Sequence, residues 1–270
     1  MAHLFIFGLG YSAKRIAEQA KAEGWTVSAT GSDGDLDFAD REVTARAIHP
    51  ADWVLSSVPP DRETGSDPVL QTYGNLVGEK WLGYLSSTGV YGDQKGAWVD
   101  ESAPIGAGRR TARAACDAAW LERGARVFRL PGIYGPGRAA LDRVRSGKAH
   151  RIDLPGQVFS RVHVEDIASG VMAAIKSDAP TGAYNLGDDL PTSQNSVIEE
   201  ACRLLDVEPP PLQTLEEADL SPMARGFYAE NRRVANGKAK RVLGWTPRYP
   251  TYREGLGAIR ALERRGAAEG

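Results

Sequence analysis

The stretch that decides the fold is Leu4-Phe5-Ile6-Phe7-Gly8-Leu9-Gly10-Tyr11-Ser12-Ala13. Its four successive apolar residues predict a strand that is covered on both faces, as in a parallel sheet. The residues after the glycines follow a helical pattern that places Ile16, Ala17 and Ala20 on one face. Strand, glycine turn and helix therefore predict the first βα unit of an α/β sheet.

The spacing of Gly8, Gly10 and Ala13 matches the pattern G-x-G-x-x-[GA]. The first glycine permits a tight turn, the second lets the backbone approach a pyrophosphate, and the third position must be small for helix packing. An ordinary glycine-rich βα turn is the alternative, but a strand before the motif and a helix after it are the context that dinucleotide binding requires. We therefore predict a nicotinamide dinucleotide here, with contacts from Gly8, Leu9, Gly10, Tyr11 and Ser12.

The end of the second strand bears on the choice between NADP and NAD. An acidic residue about 20 positions after the turn usually binds the ribose hydroxyls of NAD. This chain has Thr30, Gly31 and Ser32 there, which leave room for a 2′-phosphate. We therefore predict NADP, with NAD as the alternative if Asp33 is the displaced acid.

Short apolar segments alternate with longer helical patterns, which predicts a Rossmann-type, doubly wound parallel sheet. The predicted strands are 4–7, 26–29, 53–57, 82–86, 127–130 and 184–187, and the predicted helices are 12–23, 68–78, 111–123, 139–146, 166–176 and 194–205. Asp166 is predicted to cap the helix at 166–176. The regular alternation of strands and helices ends near residue 180. This change predicts a dinucleotide-binding domain at 1–180 and mainly a smaller substrate lobe at 181–270, with interleaved elements.

Composition excludes several classes of partner. The 270 residues carry a formal net charge of −2, so no basic surface for nucleic acid is expected. No apolar run approaches the length of a membrane span, and no secretory leader is evident, which predicts a cytoplasmic protein. The histidines and the two cysteines have no metal-site spacing, so no metal is expected.

Five segments resemble the extended short-chain dehydrogenase/reductases, specifically the NAD-dependent epimerase/dehydratase family. They are LSSTGVYG at 85–92, RLPGIYGPG at 129–137, RVHVEDIA at 161–168, YNLG at 184–187 and the segment 236–249. The segments occur in the family's order and extend over nearly the whole chain. The resemblance implies an NAD(P)-dependent oxidoreductase or epimerase that acts on a nucleotide sugar or a small carbonyl compound. It also makes a homodimer a candidate assembly.

The resemblance assigns roles to individual residues. Ser87 takes the position of the hydroxyl that hydrogen-bonds the reacting oxygen, and Arg113 takes that of the family's lysine beside the nicotinamide ribose. Further cofactor contacts are implied for Ser57, Val58, Pro59, Pro131, Gly132 and Ile133. Substrate contacts are expected from Arg109, Tyr134, Arg138, Arg161 and His163.

The chain departs from the family at its catalytic tyrosine. The family's Tyr-x-x-x-Lys pair aligns with Arg109 and Arg113, and arginine cannot act as a general base. Three interpretations remain open. Another acid or base operates, with Tyr91 or His163 as the candidates; the substrate supplies the proton-transfer group; or the protein is a catalytically inactive NAD(P)-binding sensor or structural protein.

Overall fold

The computed structural model describes residues 2–78 and 80–268. The strands are β1 His3–Phe7, β2 Thr26–Ala29, β3 Trp53–Ser56, β4 Trp81–Ser87, β5 Trp98–Val99, β6 Arg126–Leu130, β7 Gly132–Tyr134, β8 Arg151–Ile152, β9 Arg161–His163, β10 Gly182–Asn185, β11 Leu212–Gln213 and β12 Arg233–Val234. The helices are α1 Tyr11–Ala22, α2 Arg41–Ile48, α3 Pro68–Tyr73, α4 Thr111–Glu122, α5 Ala140–Arg145, α6 Val164–Lys176, α7 Gln194–Leu205, α8 Pro222–Phe227, α9 Gly237–Leu243 and α10 Tyr252–Ala268, with a 3₁₀ helix at Thr88–Tyr91.

The central sheet has the strand order β10-β6-β4-β3-β1-β2, and every pair in it is parallel. The chain moves outward from β1 to β2 and then crosses to β3 on the other side of β1. Because the winding direction reverses between β1 and β3, a crevice opens at the carboxyl ends of these strands. The predicted Rossmann-type, doubly wound parallel sheet is confirmed.

Helices cover both faces of this sheet. One apolar cluster joins Ile6 of β1 to Ile16 of α1 and Val171 of α6. The cluster on the opposite face joins Phe7 of β1 to residues such as Trp120 of α4. Coverage on both faces explains why β1 is buried over its whole length.

A smaller lobe lies at the carboxyl edge of the sheet. Its apolar core combines residues of α5, α7 and α10 with Tyr134 at the end of β7. The helix α5 precedes residue 180 in the chain, whereas β10 of the central sheet follows it. The first predicted segment thus contributes α5 to the smaller lobe, and the second contributes β10 to the central sheet. The boundary at residue 180 stays a prediction.

Two predicted elements have the observed bounds, namely the strand 26–29 and the helix 194–205. The helix predicted at 68–78 ends instead at Tyr73. No helix in the described part of the chain combines the length and apolar character needed to cross a membrane.

Candidate active site

The glycine turn between β1 and α1 is held by the end of β2. Gly8 has a φ of +82°, and its N–H donates to Thr30 Oγ1 at 3.3 Å. The N–H of Leu9 donates to the carbonyl of Thr30 at 2.8 Å. A Cβ at Gly31 would lie 2.9 Å from the nitrogen of Leu9, so only glycine fits there without displacing the backbone. The second strand therefore fixes the shape of the turn.

Gly10 leaves an open place at the start of α1. It is the N-cap residue and has extended backbone angles, and no side chain of a described residue caps the helix. Among the residues that the structure describes, a Cβ at Gly10 would meet no heavy atom within 4 Å. The first N–H groups of α1 have no partner within the helix, so they can bind an anion at this point.

A cavity of about 870 Å³ runs along the carboxyl ends of β1, β3, β4 and β6. It extends from the glycine turn to the smaller lobe, where α7, α8 and α10 contribute to its wall. The sequence-predicted site residues that line it are Gly10, Tyr11, Ser12, Ser57, Ser87, Arg109, Arg113, Pro131, Gly132, Ile133, Tyr134, Arg138 and Arg161. The predicted residues outside its lining are Gly8, Leu9, Thr30, Gly31, Ser32, Val58, Pro59, Tyr91 and His163.

Ser87 is the last residue of β4 and lies in the middle of this wall. Its Oγ accepts the N–H of Gly89 at 3.1 Å, and this bond starts the 3₁₀ helix. Because the hydroxyl acts as an acceptor there, its own hydrogen can be donated to a group in the cavity. Arg113 lies nearby and donates to Tyr84 Oη at 2.7 Å and to the carbonyl of Leu85 at 3.3 Å.

Tyr91 belongs to a buried network beneath the cavity wall. Its hydroxyl donates to Asn185 Oδ1 at 2.8 Å and accepts from Arg129 Nη1 at 3.0 Å. Arg129 forms an ion pair of 2.8 Å with Asp117, which also accepts from Ser86 Oγ at 2.6 Å. Burial raises the pKa of Tyr91. Both its position and its pKa disfavour the predicted role as an acid or base.

His163 caps α6. Its Nδ1 accepts the N–H of Glu165 at 3.2 Å, while its Nε2 is buried and has no hydrogen-bond partner in the described part of the chain. Burial lowers the pKa of His163 to about 4, with a further contribution from the positive charges of Arg15 and Arg248. The ring is therefore neutral near pH 7 and is enclosed by the rings of Tyr134 and Tyr249.

The prediction that Asp166 caps α6 is wrong, because His163 holds that place. Asp166 instead accepts the backbone N–H groups of Arg248 at 2.6 Å and Tyr249 at 3.1 Å. Its carboxylate thus ties α6 to the chain segment that precedes α10.

The cavity carries a marked excess of positive charge. Its lining includes Arg109, Arg110, Arg113, Arg138, Arg143, Arg161 and Arg232, whereas Glu230 is the one carboxylate among the described lining residues. Glu230 is paired with Arg232 at 2.9 Å and with Arg109 at 3.6 Å. The remaining positive charge favours an anionic ligand.

The arginines differ in how far they are already engaged. Arg161 is buried, and its guanidinium donates to the carbonyls of Phe159 at 2.8 Å and Thr192 at 3.0 Å, so it serves the loop structure. Arg138 stacks over the ring of Tyr11 at 4.2 Å and remains exposed. The sequence does not predict Arg110 or Arg143 as site residues, because their segments carry no motif. Only the fold brings these two arginines to one cavity.

Within the described ranges, no group of three or more potential metal ligands occurs.

No protein-family model matches the chain. A 3-diazoavenalumate denitrifying reductase from Streptomyces sp is 34% identical over 142 residues, which span 48% of this chain and only 45% of that protein. Protein YeeZ from Escherichia coli is 25% identical over 93% of this chain and 97% of its own length.

Solved structures match over the whole chain. A functionally unknown conserved protein from Silicibacter pomeroyi DSS has a TM-score of 0.85 and 36% identity, covering 97% of this chain and 99% of that one. The dTDP-glucose 4,6-dehydratase of Bacillus anthracis, in complex with NAD, has a TM-score of 0.78 at 16% identity, covering 98% and 97%. The human epimerase family protein SDR39U1, with NADPH, has a TM-score of 0.76 at 14% identity, covering 96% and 99%. The last two show a shared fold.

Proposed function

Since the chain belongs to the same family as the functionally unknown conserved protein of Silicibacter pomeroyi DSS and shares the fold of epimerase/dehydratase proteins, we propose that it is an NAD(P)-dependent oxidoreductase of the extended short-chain dehydrogenase/reductase type. Its substrate is an anionic compound, either a nucleotide sugar or a small carbonyl compound that carries a negative charge. One observation carries the proposal. A single cavity is lined by Gly10 of the glycine turn, by Ser87 and by a cluster of arginines.

The described residues fit a dinucleotide at one end of this cavity. A Cβ at Gly10 would fill the open place at the start of α1, where unpaired N–H groups suit a pyrophosphate. Ser57 and Gly132 continue the same wall beyond the turn. When bound, the dinucleotide supplies or accepts a hydride at its nicotinamide ring.

The end of β2 favours NADP over NAD. Thr30 is buried and accepts from the turn, and neither Thr30 nor Gly31 offers a carboxylate to a ribose. The nearest acid in sequence, Asp33, forms an exposed ion pair of 2.7 Å with Lys14. A 2′-phosphate therefore meets no uncompensated negative charge from these residues.

Two arginines of the cavity suit an anionic substrate. Arg138, which stacks over Tyr11 beside the glycine turn, and Arg143 are exposed and form no ion pair with a described carboxylate, so they can bind an anionic group. Ser87 donates a hydrogen bond to the reacting oxygen, and Arg113 holds the end of β4 through Tyr84 and Leu85. The cytoplasmic location and the homodimer stay predictions.

The proposal is tested by two measurements on the whole protein. Fluorescence titration with NADPH and NADH measures cofactor binding, and a screen of nucleotide sugars and small anionic carbonyl compounds follows the absorbance of the reduced cofactor. Binding together with turnover is expected. Binding without turnover on any compound favours the inactive sensor. The arginine at position 109, where the family has its catalytic tyrosine, also supports that alternative. Absence of binding refutes both.

A further inference from the structure

Arg110 directly precedes α4, and its side chain reaches the carboxyl end of β4. Its side chain crosses directly over Gly89, where a Cβ would overlap it. That Cβ position lies 3.0 Å from Arg110 Nε and 3.3 Å from Ser87 Oγ. The guanidinium and the hydroxyl therefore converge on one corner of the cavity, and a glycine at position 89 is what allows the approach.

The neighbouring arginines are already engaged, whereas Arg110 is not. Arg109 pairs with Glu230 and stacks on Phe227, and Arg113 donates to Tyr84. Within residues 2–78 and 80–268, the guanidinium of Arg110 has no hydrogen-bond or ion-pair partner. Burial, followed by the charges of Arg109 and Arg113, lowers the pKa of Arg110, although a guanidinium stays protonated at any physiological pH. The charge of Glu230 acts in the opposite sense, but Arg110 forms no direct ion pair with a described carboxylate, so this place favours a negative charge beside it.

We propose that Arg110 and Ser87 form an oxyanion site, in which the arginine replaces the hydrogen-bonding function of the tyrosine that the chain lacks. This inference rests on the proposed function and names the group that stabilises its transition state. In the reduction of a carbonyl, the carbon would receive a hydride from the reduced nicotinamide, which leaves as the oxidised cofactor, and the π electron pair of the C=O bond would move to the oxygen. That oxygen becomes an alkoxide between Arg110 and Ser87 and takes a proton from water, which leaves hydroxide in the solvent.

This site predicts different pH dependences for the reduction and for the oxidation. Both groups donate hydrogen bonds to an oxyanion, and neither accepts a proton near neutral pH. Reduction needs only stabilisation of the developing charge, whereas oxidation of an alcohol also needs a base that removes its proton. The kcat for reduction should therefore vary little between about pH 6 and 9, while oxidation should accelerate with rising pH.

The oxyanion site is tested without a known substrate by 4-nitrophenol, whose phenolate absorbs at a different wavelength from the neutral phenol. We expect the wild-type protein to bind the phenolate about tenfold or more tightly than the phenol, because a cation lies beside the oxygen. Arg110→Met should abolish this preference, Ser87→Ala should weaken it, and Arg110→Lys should restore part of it. Arg123→Met removes a positive charge at the far end of α4 and serves as the matched control, with the preference retained.

Two results would overturn the inference. One is a wild-type protein that binds the phenolate no better than the phenol, and the other is an Arg110→Met protein that folds normally and keeps the preference. Circular dichroism and thermal unfolding establish the folding of each variant. NADPH titration is the separate measure of the proposed function, so a protein that binds the phenolate but no cofactor would refute the function and leave the oxyanion site standing.

Discussion

Gly10→Val tests the cofactor site more directly than any other single change. Gly10 is the N-cap of α1 and has a φ of −90° and a ψ of −169°, which valine adopts without strain. No heavy atom of residues 2–78 or 80–268 lies within 4 Å of the new Cβ. The cost to folding is therefore limited to replacing glycine at an N-cap, about 1 kcal/mol, or a fall of about 2–4 °C in Tm.

The cost to cofactor binding should be much larger. The valine methyl groups would occupy the space through which a pyrophosphate reaches the N–H groups of α1. Loss of two charge-assisted hydrogen bonds, at about 1.5–3 kcal/mol each, corresponds to a Kd increase of more than about 100-fold. The large effect on binding beside the small effect on stability is what distinguishes a binding site from a structural turn.

Isothermal titration with NADPH measures the change, and thermal unfolding of the same samples measures stability. Gly257→Val is the matched control, because its Cβ also meets nothing within 4 Å and Gly257 does not line the cavity. Its Kd should equal that of the wild type. A Gly10→Val protein that binds NADPH with unchanged affinity would refute the assignment of the cofactor to this turn.

Further changes have defined outcomes. Ser87→Ala should lower kcat about 100-fold, roughly 3 kcal/mol, with little change in cofactor Kd, whereas Tyr91→Phe should lower it far less; equal losses in steady-state assays would contradict this. NADP(H) should bind more tightly than NAD(H) in direct titrations, and the reverse order would show that an acid contacts the ribose. Arg129→Met leaves Asp117 buried without its partner and should cost about 3–5 kcal/mol in urea unfolding, so a loss below about 1 kcal/mol would contradict the buried pair. The pKa of His163 is about 4 when folded against 6.5 when unfolded, so the unfolded state binds the extra proton; stability should be greatest above pH 6.5 and fall towards pH 4, by up to roughly 3 kcal/mol. His163→Asn keeps an N-cap and should remove this part of the pH dependence, and an unchanged slope in the variant would exclude His163 as its source.

The sequence could predict the elements whose patterning is local and strong. The apolar run of β1 and the amphipathic pattern of α1 reflect burial on the sheet, and the helix Gln194–Leu205 has a serine cap and a continuous apolar stripe. The predicted elements do not include α2 or α10. In α2 only Thr44 and Ile48 are buried, so eight residues carry too little apolar periodicity to be distinguished from a loop.

The residues of the candidate site also fall into those that a single segment predicts and those that only the packing of distant segments brings together. The sequence alone predicted the glycine turn, because the turn depends on spacing within one segment, and the family resemblance of the segment 85–92 predicted the role of Ser87. Only the tertiary structure decided that Tyr91 joins Asn185 and Arg129, which lie 94 and 38 residues away in the chain. It likewise brought Arg110 over Gly89 and left its guanidinium without a hydrogen-bond or ion-pair partner among the described residues. Hydrogen bonds and charge compensation between distant segments depend on how the elements pack, and no spacing within a single segment encodes them.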